Sequence, residues 1–134
     1  MNLLLVPQQE IDIAWEIALP ILRRANTPGE EMDEKEVYRD LKDGLRQLWL
    51  GENRAFACLT EIRKTPHRKY VLIYMLAGER IKEWYVDFYM YLYAWARAQE
   101  AQSLEIQYPR PGWERLLSKL GFIKFDDTLI KEIV

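Results

Sequence analysis

Two glutamates in strand-like segments, Glu61 and Glu105, are the residues of this chain best suited to acid–base chemistry. A carboxylate set among apolar neighbours has its charged form disfavoured, and a pKa raised in that way lets it take a proton from an amine. Glu61 follows Phe56-Ala57-Cys58-Leu59-Thr60, and Glu105 lies between Leu104 and Ile106. The plainer reading is that each faces solvent on an alternating strand. The chain has one histidine, His67, and one cysteine, Cys58. That leaves no cluster of metal-ligand spacing, no Cys/His nucleophile and no hydrolytic triad. Cys58 sits in an apolar run, where an unpaired cysteine behaves as a small core hydrophobe. Arg63, Lys64, His67, Arg68 and Lys69 make a basic tip around Thr65-Pro66. With no aromatic interleaved, it reads as a solvated turn that keeps sheet edges soluble; contact with phosphate or an acidic protein patch is the alternative.

The elements that must position these side chains fit one domain, 1–134. The chain has 134 residues and is 49% hydrophobic, enough for a core without disulfides or metals. Its 19 basic and 21 acidic residues nearly balance. No global field draws it to nucleic acid or an anionic membrane, so any partner must be met locally. The opening Met1 to Val6 is apolar but short, lacks a basic flank and meets Pro7. It reads as a strand rather than a signal peptide or membrane span, and the chain as cytoplasmic.

Ile11, Trp15, Ala18, Leu19 and Leu22 follow helical spacing to about Arg24, with Pro20 expected to kink or interrupt that helix. A loop at Asn26 to Gly29 follows. Asp33 and Glu36 have capping-box spacing ahead of a second helix that ends near Gly44. Leu45 to Leu50, Arg54 to Arg63 and Lys69 to Leu76 read as an antiparallel meander, the last apolar enough to be central. From Ile81 to Ala101 a long helix carries Trp84, Phe88, Tyr91, Leu92 and Trp95 on one face, to be packed on the sheet. Val86, Tyr89, Met90 and Tyr93 form a second apolar surface, covered either by the same domain or by a partner subunit. Ser103 to Gln107 is a strand, Trp113 to Leu120 a short helix stopped by Gly121, and Phe122 to Phe125 with Leu129 to Val134 a final hairpin turning at Asp126-Asp127.

The order β-α-α-β-β-β-α-β-α-β-β gives an α/β (α+β) domain with a mixed, mostly antiparallel sheet of about six to seven strands and about four helices. This order resembles the GNAT acetyltransferase superfamily. Two local cues carry the likeness: the break at Ala77-Gly78 between strand and long helix, and the ending Leu116-Leu117-Ser118-Lys119-Leu120-Gly121-Phe122, similar to that superfamily's Leu-Tyr-x-Lys-Leu-Gly-Phe. The Ala77-Gly78 to Trp84 segment and Arg110-Pro111-Gly112-Trp113 also look like small phage-encoded proteins of this type.

The resemblance implies acetyl-CoA as cofactor. The backbone after Met75, at Leu76, Ala77 and Gly78, would hold the pantetheine as an extra strand, and Gly78, Arg80 and the following N–H groups would meet the pyrophosphate. Two departures stand out. The superfamily's Gln/Arg-x-x-Gly-x-Gly/Ala is reduced here to Gly78, with Glu79 and Glu83 placing negative charge near the phosphate position and Arg80 and Lys82 partly offsetting it. Leu117 stands where the pattern has the tyrosine that protonates the departing thiolate. Tyr108 could substitute, or could simply pack. Two functions follow. One is a GNAT-fold protein with a degenerate cofactor loop that needs no cofactor and works by protein interaction, in a phage particle or on a host protein, through Val86, Tyr89, Met90 and Tyr93 or as a homo-oligomer. The other is an acetyl-CoA-dependent N-acetyltransferase using Tyr108, Glu61 and Glu105.

Overall fold

The computed structural model describes residues 3–26, 29, 31–109 and 111–134. Met1 and Asn2 of the expected first strand, Thr27 and Pro28 of the first loop, and Arg110 lie outside them. The order is β1 (Leu3–Leu5), α1 (Ile11–Arg23), α2 (Glu34–Lys42), β2 (Gln47–Gly51), β3 (Phe56–Lys64), β4 (Lys69–Gly78), α3 (Ile81–Ala98), β5 (Ser103–Gln107), α4 (Pro111–Ser118), β6 (Ile123–Phe125) and β7 (Thr128–Glu132). The expected order is therefore observed, with the strands joined in one seven-stranded sheet, β1-β2-β3-β4-β5-β7-β6. Among the described residues only β4 and β5 run parallel, since α3 carries the chain back between them.

Each face of the sheet has its own core. On one side α3 and α4 cover Trp49, Phe56, Cys58, Val71, Ile73, Leu104, Ile106 and Leu129. On the other α1 and α2 cover Leu48, Ala57, Leu59 and Ala77. Cys58 is fully buried, and burial pushes its thiol far above the usual range, so it packs and does not react.

Local chemistry explains most boundaries. The Asp33 carboxylate accepts the Glu36 N–H at 3.1 Å and starts α2, as the spacing predicts, and Gly44 at φ +77° follows its end. Pro20 does not interrupt α1, which continues to Arg23. The carbonyl deprived of its partner belongs to Glu16, and both Pro20 and Glu16 are on the exposed side, where water can serve it. In α3 the buried stripe is Trp84, Phe88, Leu92 and Ala96, a strict four-residue step. Tyr91 lies outside that stripe and is 46% exposed, contrary to its expected place on the packed face. Trp95 takes the edge of the stripe, meeting Trp49 at 5.1 Å in a T-shaped contact.

Between β3 and β4 the register slips. Leu59 faces Met75 while Thr60 faces Ile73, which leaves Tyr74 as an extra residue, a bulge in the middle of β4.

Candidate active site

The sheet is split at its centre. β4 and β5 pair only at Tyr70–Ser103, Val71–Leu104 and Leu72–Glu105. Beyond that rung β4 continues from Ile73 to Gly78, and among the described residues no strand pairs with that edge. Its backbone donors and acceptors face a gap at the carboxyl ends of two parallel strands, the place where open sheets of this kind take ligands. The bulge at Tyr74 lies at the mouth of the split, and α3 begins at its far end.

The connection from β4 to α3 is tightly built. Gly78 is a glycine because a Cβ there would sit 2.4 Å from Phe56 Cβ and 2.5 Å from the Ala55 carbonyl oxygen. The Glu79 N–H donates to that carbonyl at 3.1 Å, and the Trp84 indole N–H donates to the Glu79 carbonyl at 2.6 Å. Trp84 in turn stacks on Phe56 at 3.9 Å and meets Trp113 of α4 at 5.8 Å. Arg80 adopts a left-handed conformation, φ 53°, and its side chain makes no cap. The first-turn N–H groups of Ile81 and Lys82 therefore lack an intrahelical acceptor at the positive end of α3. The two glutamates that opposed phosphate binding in the sequence are both paired: Glu79 with Arg24 at 3.3 Å and Glu83 with Arg80 at 3.8 Å.

Glu61 and Glu105 come together on one face. Glu61 is opposite Leu72, and Leu72 opposite Glu105, so the two carboxylates share one row across β3, β4 and β5 on the side of α1 and α2. Neither is the freely solvated strand carboxylate of the plainer reading. Glu105 is 2% exposed. It accepts from both terminal nitrogens of the Arg68 guanidinium, Nη1 and Nη2, and from the Ser103 hydroxyl, the last at 2.9 Å. Glu61 accepts from Arg63 Nε at 3.0 Å and lies 3.3 Å from Arg46 Nε, which also donates to Asp40 at 3.1 Å. Arg46 Nη1 and Glu61 Oε1 are buried and make no hydrogen bond among the described residues. Two tyrosines complete the group, with the Arg46 guanidinium 4.2 Å over the Tyr74 ring and that of Arg68 4.1 Å over Tyr70. The basic tip is thus not a simple solvated turn, because Arg63 and Arg68 fold back onto the sheet. Arg46, Tyr70 and Tyr74 were not singled out by the sequence; the aromatic-and-arginine composition of these strands was the signal available.

Tyr108 follows β5 with its side chain 77% exposed and its N–H donated to Asp127 at 2.7 Å. Leu117, where the resemblance to GNAT proteins would put a tyrosine, is a core residue. Of the second surface on α3, Tyr89 packs edge-on to Phe122 at 5.9 Å and the Tyr93 hydroxyl accepts the Val134 N–H at 3.1 Å. Val86 and Met90 remain exposed. Leu76 and Ala77 bury their side chains in opposite cores, leaving only their backbone to face the split.

No protein-family model matches this chain, and no characterised protein matches it by sequence. Solved structures do. It is similar to a predicted acetyltransferase with acetyl-CoA from Clostridium acetobutylicum, at 15% identity and TM-score 0.72 over 94% of this chain and 92% of that one. It is similar to the polyamine N-acetyltransferase of Drosophila melanogaster, at 10% identity and TM-score 0.69 over 98% and 100%. A GNAT-family acetyltransferase from Listeria monocytogenes gives 13% identity and TM-score 0.57 over 98% and 94%. The fold is that of the GNAT acetyltransferases.

Proposed function

We propose that this protein is an acetyl-CoA-dependent N-acetyltransferase acting on an amine. The observation that carries the proposal is the split between β4 and β5, which frees the backbone of β4 from Ile73 to Gly78 beside the start of α3. Leu76, Ala77 and Gly78 would hold the pantetheine arm by backbone hydrogen bonds. The N–H groups of Ile81 and Lys82, with the Arg80 and Lys82 side chains, would face the pyrophosphate. Glu79 and Glu83 lie within ion-pair distance of Arg24 and Arg80, exposed contacts that offset a part of the charge opposing an anion there. Bound acetyl-CoA supplies the acetyl thioester.

The chain's own groups then orient the acceptor and manage protons. Glu61 and Glu105 lie in the row that crosses the root of the split and hold the local charge. Tyr108, exposed at the exit of β5, is the hydroxyl able to protonate a leaving thiolate, a task for which Leu117 has no acidic proton. Calorimetric titration with acetyl-CoA and with coenzyme A tests this. Micromolar binding that weakens at least tenfold in Arg80→Glu/Lys82→Glu, with an unchanged urea midpoint, is the expected result. No heat up to millimolar ligand overturns it.

A role in protein binding, within a virion or on a host protein, has narrower support: the exposed Val86 and Met90 on α3. It predicts a dimer or captured partner in sedimentation that Val86→Glu/Met90→Glu disperses. A monomer before and after substitution removes homo-oligomerisation through this face.

A further inference from the structure

We propose that the niche filled by the Arg68 guanidinium is a receptor for an external guanidinium or alkylammonium group, with Arg68 as its removable internal occupant. The niche has the parts such a cation requires. Its floor is the Glu105 carboxylate, whose side chain is 3% exposed. Ser103 donates to that carboxylate at 2.9 Å and fixes it, and the Tyr70 ring supplies an aromatic face to the cation at 4.1 Å. A planar cation that stacks on a ring while making two bonds to a carboxylate is recognised in full by this arrangement.

The occupant is placed to leave. Arg68 ends the β3–β4 turn with its side chain 42% exposed. Its backbone is held independently, the Thr65 N–H donating to its carbonyl at 2.8 Å and its own N–H to Thr65 Oγ1 at 3.1 Å. Only the side chain must swing out. A buried carboxylate left alone is strongly unfavourable, but exchanging one cation for another keeps it paired, and the released guanidinium regains water. Along the seam Glu105 stands on the last rung before β4 and β5 part, while Tyr70 and Ser103 form the first.

This inference does not depend on cofactor binding, and its test contains none. In the full chain, ethylguanidinium chloride and propylammonium chloride are titrated while the Arg68 Nε–Hε resonance is followed by NMR, with sodium chloride at matched ionic strength as control. The expected result is a saturable shift with the organic cations that sodium does not reproduce. Arg68→Met, which keeps an apolar stem over Tyr70, is expected to bind ethylguanidinium at least tenfold more tightly than wild type, and Arg68→Met/Glu105→Gln to lose that binding. An Arg68 resonance that moves no more than in sodium chloride overturns the proposal. So does equal affinity in wild type and Arg68→Met, or binding that survives in the double variant. Should Arg68→Met not fold, the wild-type resonance alone decides.

Discussion

Gly78→Ala separates two explanations of the one glycine at the strand-to-helix break. If glycine were there to admit phosphate, a methyl group would weaken ligand binding and leave folding intact. The structure gives it another task. The new Cβ would lie 2.4 Å from Phe56 Cβ, 2.5 Å from the Ala55 carbonyl oxygen and 2.8 Å from Phe56 Cα. Ordinary contact begins near 3.4 Å, so β3 and β4 must separate by about 1 Å at this end, and the obstructing atoms include backbone that no rotamer change can remove. Overpacking of this kind costs about 1–3 kcal/mol. The same movement stretches the Glu79 N–H to Ala55 bond and lifts Phe56 from Trp84, adding about 1 kcal/mol. The total, about 2–4 kcal/mol, corresponds to a fall of roughly 10 °C in Tm for a domain of this size. Urea unfolding followed by tryptophan fluorescence measures it, with Gly112→Ala as control: nothing lies within 4 Å of a Cβ there, in the first turn of α4. That control is expected to be neutral or stabilising by up to about 1 kcal/mol. A Gly78→Ala midpoint equal to wild type refutes the reasoning.

Glu61→Ala strips Arg46 and Arg63 of a partner in a largely buried group, and a loss of about 3 kcal/mol in urea unfolding is expected, more than for Glu61→Gln, which keeps an acceptor. Tyr89→Glu is expected to destabilise by about 2 kcal/mol because it places a charge against Phe122, whereas Met90→Glu on the exposed side changes stability by less than about 0.5 kcal/mol. Asp12 accepts hydrogen bonds from the Tyr38 hydroxyl and from Lys42, which hold its carboxyl below the ordinary value of 3.8. A folded-state pKa lowered in this way contributes stability above the unfolded value that is lost as pH falls through the folded one. The stability difference between wild type and Asp12→Asn is thus expected at pH 6 and should shrink as pH drops below about 3.8, read from urea midpoints across that range.

Much of the fold was legible because its signals are local. The meander follows from apolar runs broken by Gly51-Glu52-Asn53 and Thr65-Pro66-His67, and α2 from Asp33 and Glu36. What escaped depends on partners distant in sequence. The reason for Gly78 lies in Phe56, on another strand. The bulge at Tyr74 arises from a register slip that neither strand shows alone. Glu105 meets Arg68 only because α3 returns the chain to a parallel position beside β4, so the pairing had no sequence spacing to reveal it. Tyr89 and Tyr93 looked spare on the helical wheel, yet the chain's own last residues and Phe122 meet them. Pro20 does not end α1, because exposure, which the pattern leaves open at one position, decides whether a missing bond matters.

The short seam between β4 and β5 also bears on how the molecule assembles and comes apart. The hairpins of β2, β3 and β4 close over a few residues each, whereas the seam requires the whole of α3 to be in place before its first rung can form. Contacts that close long loops form late, and interactions absent from the folding transition state act on the unfolding rate. A molecule lodged in the split would bridge the two halves of the sheet at that late-forming boundary. It would act as a latch, prolonging the lifetime of the native state while leaving the refolding rate almost untouched.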